Sequence, residues 1–217
     1  MHNDDLETGA KPGALSRRAF LKGAGGVAAA SGALAATTES PGPQQAAGVL
    51  QGEMEIEFHI NGELQKVRVE PRTTLLSMLR HKTEPALTGT KEVCDRGNCG
   101  ACTVLIDDKP QYACMLLAVD LIGKQIRTVE GLGTPEAMSP VQEAFCAHDA
   151  SMCGFCTPGF VMATTAVLEN NPAADGDEIR RGLSGNLCRC GTYPHIFSAA
   201  EDAGRQMAGQ TKGGERK

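Results

Sequence analysis

Tryptophan is missing from this sequence, and aromatic residues of all kinds make up only 4% of its 217 positions. Large aromatic side chains supply much of the apolar area that ordinary cores bury. A chain of this length makes one large domain or two small ones. With so few aromatics, two small domains are marginal unless something besides packing holds them together. Long apolar runs are missing as well. No stretch reaches the roughly 18–20 residues that a bilayer span requires, which argues against an integral membrane protein. Nor is there a basic excess: the formal net charge is −5, and Lys and Arg are scattered rather than blocked, so no nucleic-acid partner is expected. What the sequence has instead is cysteine, nine in all.

The first fifty residues read as an address rather than a fold. Ser16-Arg17-Arg18-Ala19-Phe20-Leu21-Lys22 leads into an uncharged Gly/Ala-rich stretch from Gly23 to Ala36, and Ala33-Leu34-Ala35 offers small residues to a signal peptidase. The arrangement resembles a twin-arginine signal peptide over residues 1–36; a disordered basic tail is the competing reading. Twin-arginine export moves proteins already folded, so it suits a cofactor assembled in the cytoplasm and implies a periplasmic protein. Residues 37–52, rich in Pro, Gly, Gln and Ala, form a linker.

Two further regions follow. In 53–131, Met54, Ile56, Phe58 and Ile60 alternate with polar residues as in a half-buried strand. Asn61-Gly62 is a hairpin-turn signal, and Val67 and Val69 continue on the return strand. Leu75, Leu76 and Leu79 mark a helix within 73–81, and 103–106 and 126–129 are further short strands. Strands and one helix together predict a small α+β domain. In 132–208 the pattern turns helical. Ser139-Pro140-Val141-Gln142 reads as a capping box with Pro at the first helical position, and Thr157-Pro158 opens a second helix that Asn171-Pro172 ends. Asp175 to Glu178 caps a third, and Tyr193-Pro194 begins a fourth, giving a small bundle. Residues 209–217 are expected as a disordered tail.

Eight of the cysteines fall into two sets. Cys94, Cys99, Cys102 and Cys114 give C-x4-C-x2-C-x11-C, whose first three members have plant-type ferredoxin spacing for a 2Fe–2S cluster. A single loop can wrap such a cluster and supply three thiolates, and Gly97 and Gly100 let backbone N–H groups come close to the sulfurs. The thiolate-bound cluster is anionic, so a nest of amide donors complements it. Cys153, Cys156, Cys188 and Cys190 give C-x2-C-x31-C-x-C. Each pair sits just before a predicted helix, and the two helix N-termini favour a second anionic cluster between them. Arg189 either adds to that field or faces solvent. A disulfide scaffold fits poorly, because C-x-C does not readily bridge to itself. Structural zinc fits the first set poorly, while the second set alone is ambiguous. Cys146 lies outside both sets on the first helix of the helical region and reads as a small buried hydrophobe. His59 and His81 read as surface or half-buried, and His148 and His195 have no assigned role.

Several of these segments carry a family resemblance. They are Gly89-Thr90-Lys91, the loop from Cys94 to Val104 (CDRGNCGACTV), Cys153-Gly154-Phe155-Cys156-Thr157-Pro158-Gly159 and Gly185-Asn186-Leu187-Cys188-Arg189-Cys190. Together they resemble the iron–sulfur subunit of the xanthine oxidase family of molybdenum hydroxylases, over about residues 53–205. The resemblance implies a β-grasp plant-type ferredoxin domain followed by a four-helix bundle domain. It also implies two partners: a large subunit holding a molybdenum–pterin cofactor, and often a flavin (FAD) subunit. Electrons would pass from molybdenum to the cluster on Cys153, Cys156, Cys188 and Cys190, with Cys190 beside the pterin. They would then pass to the cluster on Cys94, Cys99, Cys102 and Cys114, and on to flavin or another acceptor. A free-standing ferredoxin-like carrier is the alternative, but such a carrier needs only the first cluster. Two positions depart from the family. Where the family usually has a pterin-contacting Gln, this chain has Met152, which cannot make that hydrogen bond. After Cys190 comes Gly191-Thr192-Tyr193, which resembles the branch of bacterial aldehyde, nicotinate and isoquinoline dehydrogenases. With the twin-arginine pattern, a periplasmic aldehyde oxidoreductase is the nearest likeness.

Overall fold

A computed structural model of the chain describes residues 51–214, with side chains to 209; the expected signal peptide and most of the linker lie outside the described residues. The described residues belong to one compact unit, Leu50–Lys217. The first strand, β1 (Met54–Ile60), turns through Asn61 and Gly62, both at positive φ, into β2 (Glu63–Val69). Asn and Gly tolerate that left-handed region, and the resulting turn matches the right-handed twist of the strands. The register pairs Met54 with Val69 and Ile60 with Glu63. This puts Phe58, Ile60, Val67 and Val69 on the buried face.

Thr74 caps the next element, α1 (Leu75–His81), by accepting from the Ser77 N–H. Leu75, Leu76, Met78 and Leu79 then bury against that sheet face. Three more strands complete the sheet: β3 (Thr103–Ile106), β4 (Lys109–Tyr112) and β5 (Gln125–Arg127). The order is β2-β1-β5-β3-β4, with β1 and β5 parallel and the other neighbours antiparallel. Strand β4 has no counterpart in the sequence reading. It lies on the sheet edge, where Pro110 removes no ladder hydrogen bond that matters. Its residues are largely exposed, so no apolar alternation marks it.

The helical region consists of α2 (Pro140–Ala147), α3 (Thr157–Asn170), α4 (Gly176–Gly182) and α5 (Tyr193–Gly214). Both expected N-terminal signals are present as complete capping boxes, Ser139 with Gln142 and Asp175 with Glu178. Val141, Ala144, Phe145, Phe160, Leu168, Ile179, Ile196 and Ala199 build the second core. The last helix continues through 209–214, into the stretch expected as tail. Extending an existing helix fixes one residue per added hydrogen bond, so the end can persist. Among the described residues no helix is long and apolar enough to cross a membrane.

The two regions pack directly on each other. Leu105 of β3 is buried with Met162 and Ala166 of α3, and Arg127 of β5 pairs with Glu169 of α3. Helix α3 therefore packs into the helical core on one side and against the sheet on the other. The fold class is α+β, as expected.

Candidate metal centres

The loop between α1 and β3 doubles back on itself, with Asp95, Gly97 and Gly100 at positive φ. That curvature turns Cys94, Cys99 and Cys102 toward one another, and a 3-10 turn at the end of β4 (Ala113–Met115) brings in Cys114. Within the set Cys94 acts on Cys99, and Cys102 feels both Cys114 and Cys99. Backbone donors line the site: the Gly97 N–H lies 3.3 Å from Cys114 Sγ, and the Asn98 N–H 3.4 Å from Cys94 Sγ. Burial pushes the Cys102 thiol up to about 12, with the neighbouring Cys114 and Cys99 thiols adding to the effect. Burial also raises Cys94, but N–H groups of Arg96, Asn98 and Cys99 outweigh it and leave this thiol at about 7.

In the helical region, Cys156 is the N-cap residue of α3, so its thiol sits at the positive end of that helix. Cys188 lies where the chain enters α5, with its own N–H donating to the Tyr193 hydroxyl at 2.8 Å. Here too the thiols act on one another, Cys156 feeling Cys188 and Cys153, and Cys190 feeling Cys153 and Cys188. Burial raises Cys156 to about 12, reinforced by Cys188 and Cys153. Cys188 is also raised by burial, but the N–H groups of Thr192 and Cys190 help to bring it down to about 7. Both expected sets of four are thus brought together, and both expected helix starts stand beside the second.

The donor chemistry discriminates between metals. Crowded thiols resist ionising together, so each set lacks the positive charge that would let all four become thiolates; a coordinated cation supplies it. All nine cysteines are free thiols, which removes the disulfide scaffold. Among the described residues no three Cys, His, Asp or Glu side chains converge on a position for a single metal ion. Structural zinc needs four ligands at one point. Four thiols that share a neighbourhood without converging on one point would suit a binuclear iron–sulfur centre.

Other sites from the sequence reading are also located. Cys146 is exposed, not buried, and this corrects the expectation. Val141, Ala144 and Phe145 occupy the buried face of α2, and the next position falls a further 100° or so around the helix, away from it. Arg189 is exposed to solvent. His59 is half-buried and His81 exposed. His148 faces Asp202 at 3.2 Å, and His195 contacts the His148 carbonyl at 2.8 Å, so these two belong to the α2–α5 contact. Two residues with no role in the sequence reading stand between the thiol sets. They are Asn186 and Tyr112, which bond to Gly100 and Gly185 respectively. Nothing in their spacing marks them, because their partners lie far away in sequence.

Comparison with known proteins bears directly on these sites. Residues 58–119 match the 2Fe-2S iron-sulfur cluster binding domain, and residues 128–201 match the 2Fe-2S binding domain. Two such domains in one chain define an iron–sulfur electron-transfer protein. The aldehyde oxidoreductase iron-sulfur-binding subunit PaoA of Escherichia coli K12 is 41% identical, over 71% of this chain and 73% of that protein. The nicotine 6-hydroxylase small subunit of Paenarthrobacter nicotinovorans is 46% identical, over 71% of this chain and 92% of that protein. Among solved structures, quinoline 2-oxidoreductase from Pseudomonas putida 86 superposes with a TM-score of 0.68 at 42% identity, covering 72% of this chain and 96% of that one. The chain belongs to the iron–sulfur subunits of the xanthine oxidase family of molybdenum hydroxylases. It is a non-catalytic electron-transfer subunit of a molybdenum-dependent oxidoreductase and uses 2Fe–2S clusters.

Proposed function

We propose that Cys94, Cys99, Cys102 and Cys114 hold one 2Fe–2S cluster and that Cys153, Cys156, Cys188 and Cys190 hold a second. On this reading the chain relays electrons outward from a large molybdenum–pterin subunit that oxidises aldehydes or N-heterocycles. The observation that carries it is the gathering of eight free thiols into two sets of four within one compact unit. When bound, the clusters supply one-electron redox steps; the chain's own residues fix their spacing and surround the sulfurs with N–H donors. The sheet region is read as a β-grasp ferredoxin domain and the helical region as a four-helix bundle.

The second site is the one turned toward the large subunit. Cys153 and Cys190 are exposed, and beside them Met152 and Phe155 stand 71% and 58% exposed. Lone apolar side chains in solvent need no explanation, but two beside exposed thiols suit a partner surface. Met152 occupies the place of the family's pterin-contacting Gln and has no donor to offer there, so this subunit makes no side-chain hydrogen bond to the pterin from that position. Electrons leave through the Cys94 set to a flavin-bearing subunit or another acceptor. Relatives named for aldehyde, nicotine and quinoline oxidation support the substrate range, and the Ser16–Lys22 pattern supports periplasmic location by twin-arginine export.

Metal analysis of natively purified material tests this reading. About four irons and about one molybdenum per chain are expected. About four irons with no molybdenum would favour a free carrier, and about two would remove one of the sites. Replacing Arg17 and Arg18 together by Lys should hold the protein in the cytoplasm; undiminished export would exclude the twin-arginine route.

A further inference from the structure

The two thiol sets are joined by a seam of hydrogen bonds between the segment 99–103 and the segment 185–187. The Leu187 N–H donates to the Cys99 carbonyl at 2.9 Å, and Leu187 immediately precedes Cys188. The backbone of a thiol-bearing residue in one set is therefore one hydrogen bond from the neighbour of a thiol-bearing residue in the other. Asn186 clamps this contact. Its Nδ2 donates to the Gly100 carbonyl at 2.8 Å and to Thr103 Oγ1 at 3.2 Å. The orientation of that amide is fixed by its partners: a carbonyl only accepts, and Thr103 Oγ1 already donates to Gly100 at 2.6 Å. Asn186 is 4% exposed, so nothing in solvent replaces these bonds if they are lost. On the other side of the seam the Tyr112 hydroxyl donates to the Gly185 carbonyl at 2.9 Å.

Glycines make the approach possible. A Cβ at Gly100 would stand 2.6 Å from the Gly185 carbonyl oxygen, and one at Gly159 would stand 2.3 Å from the Gly100 carbonyl oxygen. Backbone meets backbone here without a side-chain layer between. Neither thiol set needs this proximity to bind its own metal.

We infer that Asn186 is a positioning residue for electron transfer between the two centres, holding the Leu187 N–H on the Cys99 carbonyl as the bridge. The inference rests on the two-cluster reading above. The step moves one electron from the Cys188 centre to the Cys99 centre, with no bond made or broken and no proton transferred. Electron tunnelling through protein weakens steeply at each non-bonded gap, and a hydrogen bond carries it far better than a van der Waals gap of the same span. Asn186 touches neither sulfur set; it acts by keeping that gap closed.

The test uses the full chain with its iron in place, reduced by a pulse of methyl viologen radical, with the two centres followed by rapid-freeze EPR. Asn186→Ala should slow equilibration between them by about tenfold, a sensitivity typical of lost positioning. It should also weaken the magnetic splitting of the fully reduced protein, while iron content and each centre's own g-values stay unchanged. Tyr112→Phe removes only one hydroxyl from the seam and should slow the step by about threefold, a barrier change below that of a tenfold effect. If Asn186→Ala fails to retain iron, Tyr112→Phe decides. Unchanged rate and splitting in an iron-replete variant would overturn the inference. Wild-type protein with only one cluster would instead overturn the reading beneath it.

Discussion

The sheet region and the helical region gather the same four-thiol set in opposite ways. In the sheet region a single loop supplies three thiols and a nearby turn the fourth, and none of the four residues is exposed. In the helical region Cys153 and Cys156 come from one segment and Cys188 and Cys190 from another, separated by 31 residues and each leading into a helix, and two of the four are exposed. The first site is local and closed. The second is assembled by tertiary packing and open to its surroundings. Under the proposed relay the closed site would be the outlet, with surroundings that the chain itself sets. An open one has its remaining wall supplied by whatever docks on it, which suits the end of a relay that receives electrons from another subunit.

The most severe way to break the comparison is to remove one ligand from each site. Cys102→Ser and Cys188→Ser should each lower iron from about four to about two per chain, leaving the other site's EPR signal intact. Loss of both signals from either variant would show that the sites are not separate. In the complex, Cys190→Ser should block electron exit from molybdenum, whereas Cys94→Ser should leave reduction of the helical-region centre by substrate largely intact; rapid-reaction EPR showing the reverse would invert the relay. The openness of the second site gives a milder test. In the chain separated from its partners, a chelator should strip the helical-region centre before the sheet-region centre. Equal rates would mean that exposure of Cys153 and Cys190 does not govern access.

Much of this difference could be read from the sequence, though not all of it. The hairpin from Met54 to Val69 is encoded locally by alternation and by Asn61-Gly62, and both capping boxes lie within four residues of their helices. The thiol spacing likewise carries its chemistry in short segments. What escaped the reading depends on contacts between distant residues or on position in the sheet. Strand β4 carries Pro110 and exposed side chains, and only its place at the edge makes that acceptable. Cys146 is short and apolar, and only the phase of α2 sets it outward. Asn186 stands in a motif whose spacing was legible, but its partner Gly100 lies 86 residues away. The parallel pairing of β1 with β5 is of the same kind.

Where the two regions meet, a methyl group is enough to separate them. Gly159→Ala would drive a Cβ against the Gly100 carbonyl oxygen, with Ala101 Cα and Asn186 Nδ2 at 3.1 Å behind it. None of these atoms is the free end of a flexible side chain, so the strain should cost about 1–3 kcal/mol, as overpacking does elsewhere. Gly209→Ala is the contrasting case: its Cβ meets open space on a helix. It should leave stability unchanged or raise it by up to about 1 kcal/mol. Denaturant unfolding of both variants with iron retained checks this. A Gly159→Ala protein as stable as wild type would mean that the regions are not in contact as described.

The smallest expected effect lies on the far side of the helical region and separates its packing from its metal. Asp202 on α5 is approached by His148 Nε2 at 3.2 Å, by the Arg205 guanidinium at 3.0 Å and by Gln206 Nε2 at 3.2 Å. The His148 contact foremost, then Arg205 and Gln206, hold its carboxyl below the usual carboxylate range. A carboxyl whose folded pKa is depressed binds its proton more readily in the unfolded chain. Its contribution is therefore present above the unfolded value of about 3.9 and disappears as pH falls through the folded one. The site is partly exposed, so solvent screening limits the contribution to about 0.5 kcal/mol. Asp202→Asn should accordingly be less stable than wild type by a small margin above the unfolded carboxyl value, and the margin should close as pH falls through the folded one. Thiol protonation also destabilises acidified protein, but it acts on both proteins alike and cancels in the difference. A margin that stayed open well below the unfolded carboxyl value would mean that Asp202 is not held ionised by its neighbours, and that the α2–α5 contact rests on apolar packing alone.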